Sequence, residues 1–222
     1  MAGVVLAVDA GGTTVRMGLF RCAEGRLDCI QLSRRASAGW ANLEDDLRSF
    51  LARTEVHAAL EAAQGCAAVF ALAGPTDRDT GKGSVTRWGS DIFREVAPLL
   101  GPLPFDHCIL LNDMEAANHA VVGAAEGSFR PLDGNAVTPP RHRFIHLRPG
   151  TGLGMGVFSA GRSFPSEGGS APCAFDASVA DELAVAKHLQ VLSGGALPSY
   201  EMALSGDGLR AMSEALTGHA VS

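Results

Sequence analysis

The stretch Val4-Val5-Leu6-Ala7-Val8-Asp9-Ala10-Gly11-Gly12-Thr13-Thr14-Val15-Arg16-Met17-Gly18-Leu19-Phe20 decides how this chain is read. Val4 to Val8 is an unbroken apolar run, the pattern of a strand buried on both faces. Gly11-Gly12 breaks the run and Val15 to Phe20 resumes it, so the opening predicts a β-hairpin. Its turn carries an acid, two glycines and two hydroxyl residues. The glycines let backbone N–H groups approach an anion closely, and the threonine hydroxyls add donors. Asp9, at the end of the strand, can hold Mg²⁺ through water, because that ion favours oxygen ligands and keeps part of its hydration shell. An ordinary hairpin turn with a capping Asp explains the same residues, so this stretch alone leaves phosphate binding open.

Outward from the hairpin, Arg26 to Leu32 predicts a third strand. Asn42 to Arg53 predicts a helix with Asn42 as N-cap and Leu43, Leu47, Phe50 and Leu51 on one face. Val56 to Ala63 predicts another helix, and Ala67 to Leu72 a strand running into Ala73-Gly74-Pro75. A polar loop over 75–90 precedes an expected helix over 91–100. Cys108 to Leu111 reads as a short buried strand ending in Asn112-Asp113-Met114, with a helix from Ala116 to Ala125. Residues 127–143 lack periodicity and read as a linker. Phe144 to Leu147 and Met155 to Phe158 predict strands on either side of Gly150-Thr151-Gly152-Leu153-Gly154. A capping box at Ser178-Val179-Ala180-Asp181 predicts a helix to about Val191, and two helices over 199–204 and 209–216 close the chain. The order of elements predicts two α/β lobes with a cleft between them.

Composition narrows the function classes. The 222 residues are 46% hydrophobic and 19% charged, enough for a sizeable core and unlike a disordered polar chain. The net charge of −6 argues against nucleic-acid or anionic-membrane binding. No apolar run is long enough to span a bilayer, and the start lacks a basic leader. The five cysteines form no C-x-x-C pair, and Cys66 and Cys108 sit in apolar runs as expected buried thiols. The expectation is a cytoplasmic protein without structural zinc.

Further motifs carry chemistry, each with a plainer reading beside it. Leu110-Leu111-Asn112-Asp113 delivers an amide and a carboxylate to the carboxyl end of a strand, where α/β proteins bind ligands. Both side chains can hydrogen-bond a polyol, and an Asp can accept the proton of a hydroxyl nucleophile. The same pair could equally cap the following helix. Gly150, Gly152 and Gly154 on alternate positions are costly in a plain hairpin but suit a backbone wrapped around phosphate. Glu167-Gly168-Gly169 sets a carboxylate beside flexible backbone, as a sugar ligand or as a solvated loop acid. Gly81-Lys82-Gly83 lacks the spacing of a P-loop, the histidines show no metal spacing, and no G-x-S-x-G occurs.

Taken in order, Asp9-Ala10-Gly11-Gly12-Thr13-Thr14, Leu72-Ala73-Gly74-Pro75, Leu111-Asn112-Asp113, Gly150-Thr151-Gly152-Leu153-Gly154, Glu167-Gly168-Gly169 and Leu204-Ser205-Gly206-Asp207-Gly208-Leu209 form a set. This set resembles the bacterial glucokinase family, within the sugar kinase, actin and chaperone-ATPase superfamily, and runs nearly end to end. The resemblance implies an α/β chain with the two-lobed ribonuclease-H-like (actin-like ATPase) fold: a small N-terminal lobe over 1–112 and a partial large lobe over 113–222. It implies ATP-dependent phosphorylation of glucose or a similar hexose at its 6-hydroxyl, the first step of glycolysis, with ATP and Mg²⁺ as cofactors. By position, Asp9 is similar to the metal-associated acid, and Gly11, Gly12, Thr13 and Thr14 to the first phosphate hairpin. Asn112 corresponds to a sugar contact and Asp113 to a sugar contact and catalytic base. Gly150, Thr151 and Gly152 correspond to the second phosphate loop, and Glu167 and Glu201 to sugar-hydroxyl ligands. The implied partner is the hexose, with no nucleic acid and no membrane, and a homodimer is compatible with it.

The chain departs from the family in three places. Ser170 stands where the family has His after Glu-Gly-Gly, and Thr86-Arg87 where it has Thr-Asn. The family's chain also continues through an adenosine-binding segment and a terminal helix, so the second lobe is expected to be incomplete. Two other readings follow from these departures: a non-catalytic sugar-binding remnant, and a related kinase for another sugar.

Overall fold

The computed structural model describes residues 3–89, 92–103, 105–125, 127–131 and 142–219. Contacts divide the chain into two compact units, 1–116 and 117–222. The expected boundary at 112/113 lies four residues earlier.

In the first unit, β1 (Gly3–Ala10), β2 (Thr14–Ala23) and β3 (Arg26–Ala36) form an antiparallel meander. Along β1 the residues alternate between buried and half-buried, with Val4, Leu6, Val8 and Ala10 inside. Helices α1 (Trp40–Leu51) and α2 (Thr54–Glu61) follow. Then β4 (Cys66–Leu72) returns parallel to β1. Three two-residue strands, β5 (Thr76–Asp77), β6 (Lys82–Gly83) and β7 (Arg94–Glu95), make a small separate sheet. Finally β8 (His107–Asn112) pairs parallel with β4. The main sheet has the order β3-β2-β1-β4-β8.

One core holds this unit together. Leu43, Leu47 and Phe50 of α1 and Val56 and Leu60 of α2 pack with Leu6, Val8, Leu19 and Phe70 of the sheet. Each fully buried Leu or Phe contributes about 1.5–3 kcal/mol. Because β1, β4 and β8 are parallel, their carboxyl ends share one sheet edge. That edge gathers Asp9 to Thr13, Leu72 to Gly74, and Asn112-Asp113, which stand far apart in sequence.

Several local expectations are corrected. Helix α1 begins at Trp40 behind Gly39 (φ 118°), and Asn42 caps nothing. Trp40 is buried against Trp88, with ring centroids 5.2 Å apart, and this packing draws the helix start forward. The helix expected over 91–100 is replaced, within the described residues, by β7 and a 3-10 turn over Ala97–Leu100 that includes Pro98. Pro98 has no N–H to give an α-helix. Cys108 is exposed, because β8 is an edge strand, whereas Cys66 is buried as expected. Burial raises the pKa of the Cys66 thiol, with the nearby Asp106 carboxylate adding to it.

Helix α3 (Asp113–Gly123) starts three residues before the expected position, and the division between the units falls within it. The expected linker over 127–143 lies mostly outside the described residues. In the second unit, β9 (Arg143–Pro149), β10 (Leu153–Ser159) and β11 (Arg162–Ser166) form an antiparallel sheet with β10 central. Helices α4 (Ala180–Leu192), α5 (Tyr200–Leu204) and α6 (Gly206–Thr217) follow. Val185 and Leu189 of α4, Ala203 of α5 and Ala211 of α6 make a small core. The expected capping box fails. Ser178 donates its hydroxyl to Asp176 at 2.6 Å, and Glu182, one residue beyond the expected acid, accepts from the Asp176 N–H at 2.7 Å. The Ser178 hydroxyl, and after it the Ser178 N–H at 2.9 Å, hold the Asp176 carboxyl below the usual range. No described helix is long and apolar enough to cross a membrane.

Candidate active site

In the first unit the β1–β2 turn is tied to the fold at several points. The Gly11 N–H donates to the Thr14 carbonyl at 3.0 Å, which closes the turn. Ser37, just beyond β3, donates its N–H to the Thr13 carbonyl at 3.1 Å and its hydroxyl to the Gly11 carbonyl at 2.7 Å. The indole N–H of Trp88 donates in turn to Ser37 Oγ at 2.7 Å. Among the described residues, the N–H groups of Gly12 and Thr13 donate to no acceptor. Thr13 is exposed and Gly12 half-buried. The turn therefore has its carbonyls engaged and donors to spare, as an anion-binding loop requires.

Asp9 is not isolated. It lies opposite Arg16 in the hairpin register, and Arg16 Nη1 donates to Asp9 Oδ2 at 2.7 Å. Both side chains are partly solvated, so the pair adds at most about 1 kcal/mol. Among the described residues no three His, Cys, Asp or Glu side chains gather at one point. A lone carboxylate fits only an ion that takes most of its ligands elsewhere, as Mg²⁺ does from water and phosphate oxygens.

At the end of β8, Asn112 serves as the N-cap of α3. Its Oδ1 accepts from the Met114 N–H at 2.9 Å, and Glu115 Oε2 accepts from the Asn112 N–H at 3.1 Å. This reciprocal pair is a capping box. The capping reading of Asn112 therefore holds. Asn112 Nδ2 also donates to the Gly74 carbonyl at 3.0 Å, tying the ends of β4 and β8 together. Gly74 has no room for a side chain, since a Cβ there would collide with the Ser84 carbonyl. Asp113 is half-buried in the first turn of α3, where a carboxylate is favoured by the helix dipole.

In the second unit the residues expected to bind phosphate and sugar cluster at the start of β10. The Gly150 N–H donates to the Gly152 carbonyl at 2.8 Å, and the Gly206 N–H to the Gly150 carbonyl at 2.8 Å. The Leu153 N–H donates to Glu201 Oε2 at 2.9 Å. A Cβ at Gly152 would stand 2.5 Å from that same oxygen, so Glu201 lies against the glycine loop. Glu167 is exposed and opens the 3-10 turn Gly168–Ser170. That turn packs on β10 and α5, with Gly169 pressed against the Leu153 carbonyl. Gly150, Thr151, Glu167 and Glu201 thus surround one strand end, with Thr151 exposed.

A glucokinase family model matches residues 6–221. The chain belongs to the glucokinase family. Among its curated glucokinase relatives, one from Sinorhizobium medicae is 31% identical over 170 residues, covering 74% of this chain and 46% of that protein. The chain thus matches about half the length of these relatives. A solved glucokinase from Balamuthia mandrillaris in complex with glucose matches with a TM-score of 0.74 at 22% identity, over 95% of this chain and 61% of that one. A ROK family glucokinase from Streptomyces griseus in complex with glucose and AMPPNP matches with a TM-score of 0.53 at 18% identity, over 96% of this chain and 71% of that one. These likenesses show the fold, the mixed α/β architecture of the actin-like sugar kinases expected from the glucokinase resemblance.

Sequence reasoning missed several residues that build this candidate site. Glu115, Arg16 and Ser37 each hold a predicted residue, and the sequence carried a local signal for two of them. Arg16 had a signal: with residues 11–14 forming the loop of the hairpin, Asp9 and Arg16 fall opposite one another. Glu115 also had one, since Asn112-x-x-Glu115 is capping-box spacing. Ser37, whose indole partner stands 51 positions away, had none.

Proposed function

We propose that the protein to which this chain belongs transfers the terminal phosphoryl group of ATP to the 6-hydroxyl of glucose. The observation that carries the reading is Asn112-Asp113, held at the carboxyl edge of β8 on the same sheet edge as the spare donors of the β1–β2 turn, in a chain matched to the glucokinase family from residue 6 to residue 221. Asn112 binds a sugar hydroxyl with the second N–H and second lone pair that its capping role leaves unused. Asp113 accepts the proton of the 6-hydroxyl. The sugar oxygen then bonds to the γ-phosphorus, the bond from that phosphorus to the bridging oxygen breaks, and ADP leaves with the electron pair.

Gly11 to Thr14 and Gly150 to Gly152 serve the phosphates through backbone N–H groups, and Glu167 and Glu201 bind sugar hydroxyls. Asp9 is the residue that would hold Mg²⁺, which neutralises charge on the phosphate oxygens when bound. Most of the rate enhancement in such transfer comes from positioning and electrostatics. Support for glucose comes from the family match and from relatives solved with glucose. Ser170, where the resemblance expects His, bears on which hexose is preferred.

A coupled assay with Mg-ATP over a panel of hexoses tests the reading, with glucose expected to rank first. Asp113→Asn should lower turnover by about 10²–10⁴-fold, the usual worth of a general base. An unchanged rate in that variant refutes the base assignment. Calorimetric glucose binding without phosphoryl transfer would identify a sugar-binding protein instead.

A further inference from the structure

Arg87 has no part in the roles assigned so far, yet the fold sets it against the phosphate hairpin. It lies in the 3-10 turn Thr86–Trp88. That turn is anchored from both sides. The Thr86 N–H donates to the Ala73 carbonyl at 3.1 Å, and the Trp88 indole reaches Ser37, which holds Gly11 and Thr13. Trp88 also packs edge-on against the buried Trp40. The stem of Arg87 rests on Gly12: a Cβ built there would meet Arg87 Cδ at 2.7 Å and Cγ at 3.1 Å. Arg87 is exposed, and among the described residues it makes no hydrogen bond or ion pair. The nearby Arg16, by contrast, is engaged by Asp9.

These observations describe a cation whose stem is seated and whose head has no partner among the described residues, next to backbone donors that likewise have none among them. A guanidinium presents a planar fork of donors matched to phosphate oxygens. We propose that Arg87 completes the β1–β2 hairpin as a phosphate site, binding the terminal phosphate of a triphosphate together with the N–H groups of Gly12 and Thr13. The inference rests on the kinase reading and deepens it. Gly12 is then glycine because a Cβ there would push the Arg87 stem off the loop. Arg87 is a binding residue whose loss acts on triphosphate affinity, while sugar affinity stays where Asn112 sets it.

Calorimetry with inorganic tripolyphosphate and, separately, with glucose tests this on the whole chain. Arg87→Gln should weaken tripolyphosphate binding by roughly tenfold or more, as expected for a lost hydrogen bond to a charged group. Arg87→Lys, which keeps the charge and loses the fork, should fall between. Arg26→Gln, at the exposed far end of the sheet, removes the same net charge and should leave the affinity within about twofold, since exposed charges beyond a Debye length are screened. Glucose binding should be the same in all four proteins. The inference is overturned if Arg87→Gln binds tripolyphosphate like the wild type, if Arg26→Gln weakens it equally, or if the wild type does not bind it. Glucose binding and sugar phosphorylation by the wild type would leave the kinase reading standing in those cases; absence of both would remove that reading as well.

Discussion

Glu115 holds Asn112 and Asp113 where they are, and its removal has a cost that follows from the structure. Glu115 is 9% exposed, and its carboxylate accepts from the Asn112 N–H and from Arg78 Nη2. Glu115→Ala leaves the half-buried Asn112 N–H without an acceptor, which costs about 1–3 kcal/mol. The Arg78 bond adds less than about 1 kcal/mol, because that side chain is half solvated and its pairing is screened. The expected total is about 1–4 kcal/mol, and with a urea slope near 2 kcal/mol per M the midpoint should fall by about 0.5–2 M. Glu115→Gln keeps an acceptor oxygen for Asn112 and should lose less than about half of that. Tryptophan fluorescence is the right probe, since Trp40 and Trp88 are the only tryptophans and both lie in the first unit. A midpoint for Glu115→Ala within about 0.3 M of wild type, or a Gln variant as damaged as the Ala variant, refutes the capping-box account.

Two more outcomes follow from the second unit. Gly152→Ala places a methyl group 2.5 Å from Glu201 Oε2, so the carboxylate must leave the Leu153 N–H; glucose affinity should fall several-fold, as for a lost hydrogen bond to a charged group, and an unchanged calorimetric affinity would show that Glu201 is not seated as described. His146 on β9 has its pKa lowered from 6.5, first by burial and then by the positive charge of Arg148. The folded unit therefore holds fewer protons there than the unfolded chain, so its stability is full above pH 6.5 and declines as the pH falls through the window below that value. His146→Gln should flatten this part of the profile between about pH 7 and 5.5, measured by urea unfolding followed by circular dichroism. Identical slopes in the two proteins would exclude His146 as the source.

What the sequence disclosed was whatever lies in contiguous runs. The hairpin, β4, β8, β10 and the glycine loop all stand within a few residues of their expected places, because apolar runs and glycine clusters are local signals. Helix starts were less legible. Trp40 begins α1 because it packs against Trp88, 48 positions later, and local capping preferences do not contain that contact. The small sheet of β5, β6 and β7 is illegible in the sequence because two-residue strands have no period to detect. Partners of site residues were the least legible. Ser37, Gly11 and Trp88 meet through hydrogen bonds spanning 26 and 51 positions, and Glu201 meets Leu153 across 48.

The two readings of Asn112 that the sequence left open turn out not to compete. An Asn side chain has two N–H donors and two acceptor lone pairs. Capping α3 uses one lone pair, and bridging to Gly74 uses one N–H. What remains is one donor and one acceptor, on a side chain already fixed at both ends. A flexible Asn would lose rotamer entropy on gripping a sugar; this one has lost it on folding, so more of its hydrogen-bond energy is left for binding. The same economy applies at Glu201, where one carboxylate oxygen holds β10 and the other is left for a ligand. On the proposed mechanism, the interactions that look merely structural are therefore the ones that would make these residues effective ligands. It follows that variants of the supports, Glu115 and Gly152, should impair sugar binding although the proposed mechanism gives neither a contact with the sugar.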